Sequence, residues 1–221
     1  MEKNKQKNQF SKKIINWYKK NKRAFPWREK IHPYGVLISE ILLQHTDAKK
    51  VSLIYKDFLL DFPDLSTLAK SRVSVIRKKI WYLGKHHRAK DLKKIANQLL
   101  TNNNGRIPNT EKELLKLKGI GPYSANAILS FGFNKNVPIV DTNVIRILNR
   151  YFDLDIDYEK ERKRKKIWIF ANSLLPKHKI KEYHWGLLDL GSQICKPKKP
   201  ICNRCPLLES CIYNINNTPI K

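Results

Sequence analysis

Leu114–Arg150, LLKLKGIGPYSANAILSFGFNKNVPIVDTNVIRILNR, decides the fold: it reads as helix, Gly-rich turn, helix, short extended link, helix. Thr110 and Glu113 make the T-x-x-E pattern of a capping box, which satisfies orphan N–H groups at a helix start and so begins the first helix. Gly119-Ile120-Gly121-Pro122 stops it and starts the next, with Pro at the first helical position. Such a turn leaves backbone N–H groups unpaired beside a helix N-terminus, a ready site for phosphate. Ala125, Ile128, Leu129 and Phe131 give the second helix its apolar side. Val137-Pro138-Ile139-Val140 then leads into Asp141, directly before an amphipathic run through Val144, Ile147, Leu148 and Tyr151.

From the residues alone Asp141 reads as an N-cap, the ordinary place of an Asp ahead of an apolar-periodic run. Composition bounds the class of partner. Lys and Arg number 45 against 19 Asp and Glu in 221 residues, a net charge of +26. That excess points to a polyanion. No apolar run approaches the roughly 20 residues of a spanning helix, and the start MEKNKQKNQFSKK has no apolar core of an export signal. It is expected to be a solvated basic arm, with nucleic acid rather than membrane as the partner.

Outward from the hairpin, every periodic segment is helical. Residues 10–28 give an amphipathic helix (Phe10, Ile14, Trp17, Tyr18) that stops before Pro26. From Pro33 a strongly apolar helix runs through Glu40 to Gln44-His45-Thr46. A carboxylate in such a run is either desolvated, which favours the neutral form and suits a proton donor, or on the helix's one wet face. Val51–Leu60, Leu65–Leu83 with a break near Ser71, and Arg88–Leu100 follow, then a basic helix Tyr158–Leu175 carrying Ile167, Trp168 and Phe170. His86 and His87 are adjacent on the Gly84–Arg88 turn, where side chains diverge, so a solvated or phosphate-facing loop is expected rather than a metal site. No strand pattern exceeds Val137–Val140, and the fold class is all-α.

All four cysteines lie in one short stretch, Cys195, Cys202, Cys205 and Cys211, spaced C-x6-C-x2-C-x5-C with Pro197, Pro200 and Pro206 between them. Thiolates gathered this closely can surround one metal centre. Zinc is the plain alternative, although usual zinc sites show two C-x2-C pairs and only one is present.

The combination resembles the endonuclease III superfamily of DNA glycosylases, with its helix-hairpin-helix Gly/Pro…Asp motif. The cysteine spacing is similar to that family's four-iron, four-sulfur loop. Phe25-Pro26-Trp27-Arg28 resembles a segment of its mismatch-specific members, the thymine/uracil and adenine branch. The resemblance spans Phe25 to Cys211. It implies two helical lobes, a six-helix barrel over residues 31–136 with the hairpin at about 110–132, and a cluster-bearing lobe of residues 1–30 plus 137–221, with a DNA-binding groove between them. It implies one 4Fe-4S cluster on Cys195, Cys202, Cys205 and Cys211, and a monomer acting on double-stranded DNA with a mismatched or damaged base, in the cytoplasm at the nucleoid.

Residue by residue, the resemblance makes Asp141 the carboxylate that stabilises the cationic sugar or orients water. Glu40, in S-E-x-x-L-Q-x-T, becomes the donor to the departing base. Tyr123 stands where bifunctional endonuclease III carries its Schiff-base Lys, implying a monofunctional enzyme. Asn143 matches the D-x-N of mismatch glycosylases. Gln44 and His45 are implied in entering or lining the opened base stack, while Gly119 and Gly121 hold phosphate. Lys118, Lys198 and Lys199 are expected to face phosphates. Where adenine glycosylases often carry Tyr-Tyr, this chain has Lys85-His86, and about ten residues follow Cys211, too few for the domain that reads 8-oxoguanine. The implied substrate is therefore thymine or uracil opposite guanine, with adenine opposite guanine or 8-oxoguanine as the alternative. A glycosylase with lyase activity and a non-catalytic DNA-binding module are the other readings; the second leaves Glu40, Asp141 and the cysteine loop without a joint purpose.

Overall fold

The computed structural model describes residues 2–154, 156 and 165–217. Its helices are α1 (Glu2–Asn21), α2 (Pro33–Leu43), α3 (Ala48–Asp61), α4 (Leu65–Lys70), α5 (Val73–Lys79), α6 (Arg88–Asn103), α7 (Glu111–Leu114), α8 (Pro122–Ala127), α9 (Thr142–Phe152), α10 (Lys165–Asn172), α11 (Ile180–Gln193) and α12 (Ile212–Asn217). Among the described residues there is no strand, as the all-α reading expects. The chain divides into two compact bodies, Ala24–Lys135 and Met1–Arg23 with Asn136–Lys221.

The first body is built around α2. From Tyr34 to Leu42 all nine residues are buried, so this helix has no wet face and its neighbours α3, α6 and α8 close around it. Its start is fixed by His32, whose Nδ1 accepts from Gly35 N at 3.1 Å, with Pro33 at the first position. Gly35 must be glycine, because a Cβ there would stand 2.8 Å from the Tyr55 hydroxyl, which donates to Gly35 O. The short helices start as their sequences dictate. Asp47, Asp64 and Thr110 each accept a hydrogen bond from the first turn of α3, α4 and α7. Thr110 caps α7 as expected, and its hydroxyl also donates to Glu113 Oε2 at 2.6 Å. The expected break near Ser71 separates α4 from α5. After Ala127 the hairpin's second helix widens into a π turn, Ile128–Gly132, with Ile128 to Phe131 all buried.

The boundary between the bodies falls after Arg23 rather than at residue 30. Phe25 stacks on Trp27 at 4.6 Å, and Trp27 meets Tyr55 edge-on at 5.7 Å. These rings tie the Phe25-Pro26-Trp27-Arg28 segment, a 3-10 turn, to α3.

The second body packs α1, α9, α10 and α11 around Phe10, Ile14, Val144, Leu148, Tyr151 and Leu187. The basic start of the chain is helical: α1 begins at Glu2 and ends at Asn21. Phe10, Ile14, Ile15 and Tyr18 dock and hold the helix, and the Lys and Gln residues ahead of them favour its backward propagation. Asn21 Nδ2 donates to Trp17 O and ends it. Asp189, wholly buried on α11, takes the backbone N of Arg23 at 3.0 Å and its Nε at 2.6 Å. Of the basic helix expected from Tyr158, the structure describes Lys165 onward; residues 157–164 lie outside the described residues.

Helices α1 and α11 touch at Gly186, where a Cβ would lie 2.7 Å from Ile14 Cγ2 and 3.2 Å from Ile14 O. Alanine gains about 1 kcal/mol in helix propensity, but overpacking against a stiff β-branched side chain and backbone costs about 1–3 kcal/mol. Gly186→Ala is therefore expected to lower the urea midpoint of unfolding. A midpoint at or above wild type would mean that the helix pair has slack.

Candidate functional site

The residues singled out from the sequence fall into two sets, one in each body. In the first, Glu40 sits on α2 with 6% of its surface exposed. The wet-face reading of Glu40 is thereby excluded, since α2 has none. Past the helix end, Gln44 turns its side chain to the hairpin, and Nε2 donates to Gly119 O at 2.7 Å. His45 follows at φ +50°, in the left-handed region that few non-glycine residues occupy. Gly119 itself takes φ +79°, which glycine alone adopts freely. At both Gly119 and Gly121 the space a Cβ would fill is open, so the backbone of the turn is accessible to a ligand. Tyr123 is half-buried at the second position of α8. Lys118, expected to face phosphate, is exposed and pairs with Asp91 at 3.0 Å. That surface ion pair is worth about 0–1 kcal/mol and is readily exchanged. His86 lies flat on Trp81, ring centroids 4.0 Å apart, with Nε2 against Trp81 O.

In the second body Asp141 caps α9. Its Oδ1 accepts from Val144 N at 2.8 Å and its Oδ2 from Asn143 Nδ2 at 2.8 Å. The amide of Asn143 is oriented from the other side, because Arg146 Nη2 donates to Asn143 Oδ1 at 2.8 Å. Arg146 is anchored in turn on two carbonyls, Gly191 O at 2.8 Å and Cys195 O at 2.7 Å. Gly191 has to be glycine: a Cβ would fall 2.5 Å from the Asn143 Cβ. The extended link ahead of Asp141 is held by His184, whose Nε2 donates to Val137 O at 2.9 Å. Burial pushes the His184 ring down to about 4, so it is neutral at pH 7. Burial also raises Asp141 above the ordinary carboxylate range, while hydrogen bonds from Val144 and Asn143 and the charge of Arg146 pull it back.

One turn on, Arg150 reaches the cysteine loop. Its guanidinium donates to Lys196 O and Pro197 O, both at 2.7 Å, and lies 3.5 Å from Cys195 Sγ. Cys211 Sγ faces Arg150 O at 3.4 Å. All four cysteines are free and half-buried. Among the described residues, no three His, Cys, Asp or Glu side chains form a single-ion site. The thiols nonetheless act on one another: burial first, and then Cys195, Cys211 and Cys202, raise Cys205, which is pushed up to about 12. Four thiols on one loop with an arginine against Cys195 are a donor set that fits an anionic, thiolate-held cluster. Lys198 and Lys199 stand exposed on the same loop. Arg146 and Arg150 carry no sequence signal that separates them from the chain's other basic residues; only their i, i+4 spacing after Asp141 hints that they share a face.

Residues 38–170 match the model of the HhH-GPD superfamily base excision DNA repair proteins. The chain is 35% identical over 212 residues to the thymine/uracil-DNA glycosylase of Methanothermobacter thermautotrophicus, covering 95% of each chain. It is 38% identical over 209 residues to the adenine DNA glycosylase of Buchnera aphidicola subsp. Baizongia pistaciae, spanning 94% of this chain and 59% of that one. Among solved structures it is similar to a thermostable thymine-DNA glycosylase, with TM-score 0.91 and 33% identity over 98% of this chain and all of that one.

The donors around Asp141 lead to a titration test. Each favours the ionised carboxylate, so removing one must raise the Asp141 pKa further. Asn143→Leu is expected to shift the carboxyl NMR titration of Asp141 to higher pH, and Arg146→Gln, which frees the Asn143 amide and deletes a charge, to do the same. Because the folded pKa lies above the unfolded one, the stability linked to this group is full below the unfolded pKa and is lost as pH rises through the folded pKa. The variants move the upper end of that window upward. An unmoved titration in folded Asn143→Leu would show that this hydrogen bond does not control the carboxylate.

Proposed function

The chain belongs to the HhH-GPD superfamily of base excision DNA repair proteins and is a DNA N-glycosylase, and from that premise we propose that it removes thymine or uracil opposite guanine from duplex DNA. The observation that supports this choice is the similarity to thymine/uracil and thymine glycosylases over 95% or more of both chains. Adenine opposite guanine or 8-oxoguanine is the second reading, favoured by the 38% identity to the Buchnera adenine enzyme.

In this reading a mismatched nucleotide is extruded from the stack, which costs less than opening a matched pair. The open backbone of the Gly119–Gly121 turn takes a phosphate, and the exposed lysines of the chain supply the salt-sensitive part of the affinity. Gln44 fills the gap left by the flipped base. The N-glycosidic bond then breaks with its electrons leaving on the base, which Glu40 protonates or hydrogen-bonds from its dry helix. Asp141 stabilises the positive charge on the sugar and accepts a proton from the water that adds at C1′. Asn143 and Arg146 keep the Asp141 carboxylate oriented for this. Tyr123 offers no amine for a Schiff base, so the strand is left intact. We assign Cys195, Cys202, Cys205 and Cys211 to one 4Fe-4S cluster in a monomeric enzyme working at chromosomal DNA in the cytoplasm. Bound there, the cluster would supply a rigid core for the Lys198–Lys199 loop.

Single-turnover release from G·T, G·U, G·A and 8-oxoguanine·A duplexes tests the substrate. Thymine or uracil is expected to leave fastest; faster loss of adenine would replace the first reading by the second. Asp141→Asn should keep DNA binding and lose on the order of a thousandfold in rate. Borohydride should trap no covalent complex with wild type, and trapping would overturn the monofunctional reading.

Anaerobically purified protein is expected to be yellow-brown, with equal iron and acid-labile sulfide near four per chain. One zinc in colourless protein would rule the cluster out.

A further inference from the structure

Arg88, at the start of α6, is 3% exposed. Burying a guanidinium is costly, and an apolar residue of similar volume is often the better stabiliser at such a place. The partners of Arg88 are not carboxylates. Its Nη1 donates to Leu42 O at 2.8 Å and to Thr46 Oγ1 at 2.9 Å. Leu42 O is one of the last carbonyls of α2, which have no partner within the helix and form its negative end. Thr46 closes the turn that follows: its N–H donates to Leu43 O at 3.1 Å and its hydroxyl lies 3.3 Å from Gln44 O. Between these bonds His45 is held at φ +50°. From the same turn Gln44 reaches Gly119 O. One buried cation thus grips the end of the Glu40 helix and the far side of the strained turn that carries Gln44.

We propose that Arg88 is a positioning residue for base excision, clamping α2 and the Gln44–His45–Thr46 turn so that Gln44 is presented toward the hairpin. The inference rests on the glycosylase reading. A charged donor is used where packing alone would favour an apolar side chain because the two N–H groups of one nitrogen, Nη1, tie a helix end to a hydroxyl beyond it, which no aliphatic group can do. Lysine keeps the charge but carries it on a flexible stem in place of the planar guanidinium.

The test uses the full-length holoprotein and the duplex that wild type turns over fastest. Arg88→Met, Arg88→Lys and Thr46→Val are checked for folding by their thermal transitions. Affinity for undamaged duplex, single-turnover rate at saturating enzyme, and the fluorescence of 2-aminopurine beside the mismatch are then compared. Misplacing a positioned group by about an ångström can cost roughly a hundredfold. Arg88→Met is expected to lose tenfold or more in saturating rate, on the order of that effect, with Arg88→Lys between it and wild type. Thr46→Val should fall in the same direction by a smaller factor. The 2-aminopurine signal should fall with the rate, while affinity for undamaged duplex stays within about twofold. If Arg88→Met does not fold, Thr46→Val and Arg88→Lys carry the test. Folded variants that excise and unstack at wild-type rates, or that lose affinity in proportion to rate, overturn the inference. A wild type that releases no base from any duplex brings down the glycosylase reading itself, which is a different outcome.

Discussion

A helix with no wet face has to be enclosed, and in this chain that helix is α2. The run from Tyr34 to Leu42 is buried without interruption, so α3, α6, α8 and the π turn are committed to covering it. The enclosure leaves no room for error at close approaches. Gly35 lies under the Tyr55 hydroxyl, and a Cβ at Gly132 would meet Pro33 Cα at 3.0 Å. Two tyrosine hydroxyls inside the shell are tied to backbone carbonyls, Tyr34 to Phe62 O and Tyr55 to Gly35 O. Into this apolar setting the chain places Glu40. Carrying a carboxylate there is destabilising unless it is neutral or partnered.

The second body solves the opposite problem, how to hold a carboxylate near the surface in one orientation. Asp141 receives donors on both oxygens, and the second donor is itself fixed by Arg146. Arg146 and Arg150 then spend their remaining donors on the carbonyls of Gly191, Cys195, Lys196 and Pro197. The geometry of the carboxylate and of the cysteine loop is therefore set by one helix face. A change in the loop's backbone reaches Asp141 through two side chains, and the tight contact of Gly191 with Asn143 leaves them little freedom to absorb it.

Much of this was legible beforehand because it depends on local chemistry. Thr110 and Asp141 act as caps, Pro122 begins α8, Ser71 interrupts a helix, and the apolar spacing of Val144, Ile147, Leu148 and Tyr151 faces a core. What failed depends on contacts distant in sequence. The lysine-rich start does not show in its own sequence which rings receive Phe10, namely Tyr151 and Phe152. A run as apolar as Gly35–Leu43 does not say which side Glu40 faces, since a side is defined only by what covers it. Arg88 and Arg146 could not be picked out among 45 basic residues, because their distinction is a buried carbonyl or amide elsewhere in the chain. Asp91 on α6 pairs with Lys118, a contact that the local sequence does not show.

The two readings of Asp141, helix cap and reactive carboxylate, turn out not to compete. The cap bond from Val144 N is what fixes Oδ1, and an N-cap position sets the carboxylate at the positive end of α9, where negative charge is favoured. Those are the conditions under which a carboxylate can meet a developing cation without reorganising at that moment. An ordinary cap would be complete with Val144. Here Asn143 adds a donor to Oδ2, Arg146 orients Asn143, and burial opposes the charge that these groups support. Two layers of side chains spent on orienting one half-buried carboxylate exceed what the first turn of a helix needs, and that excess is where the cap becomes a site.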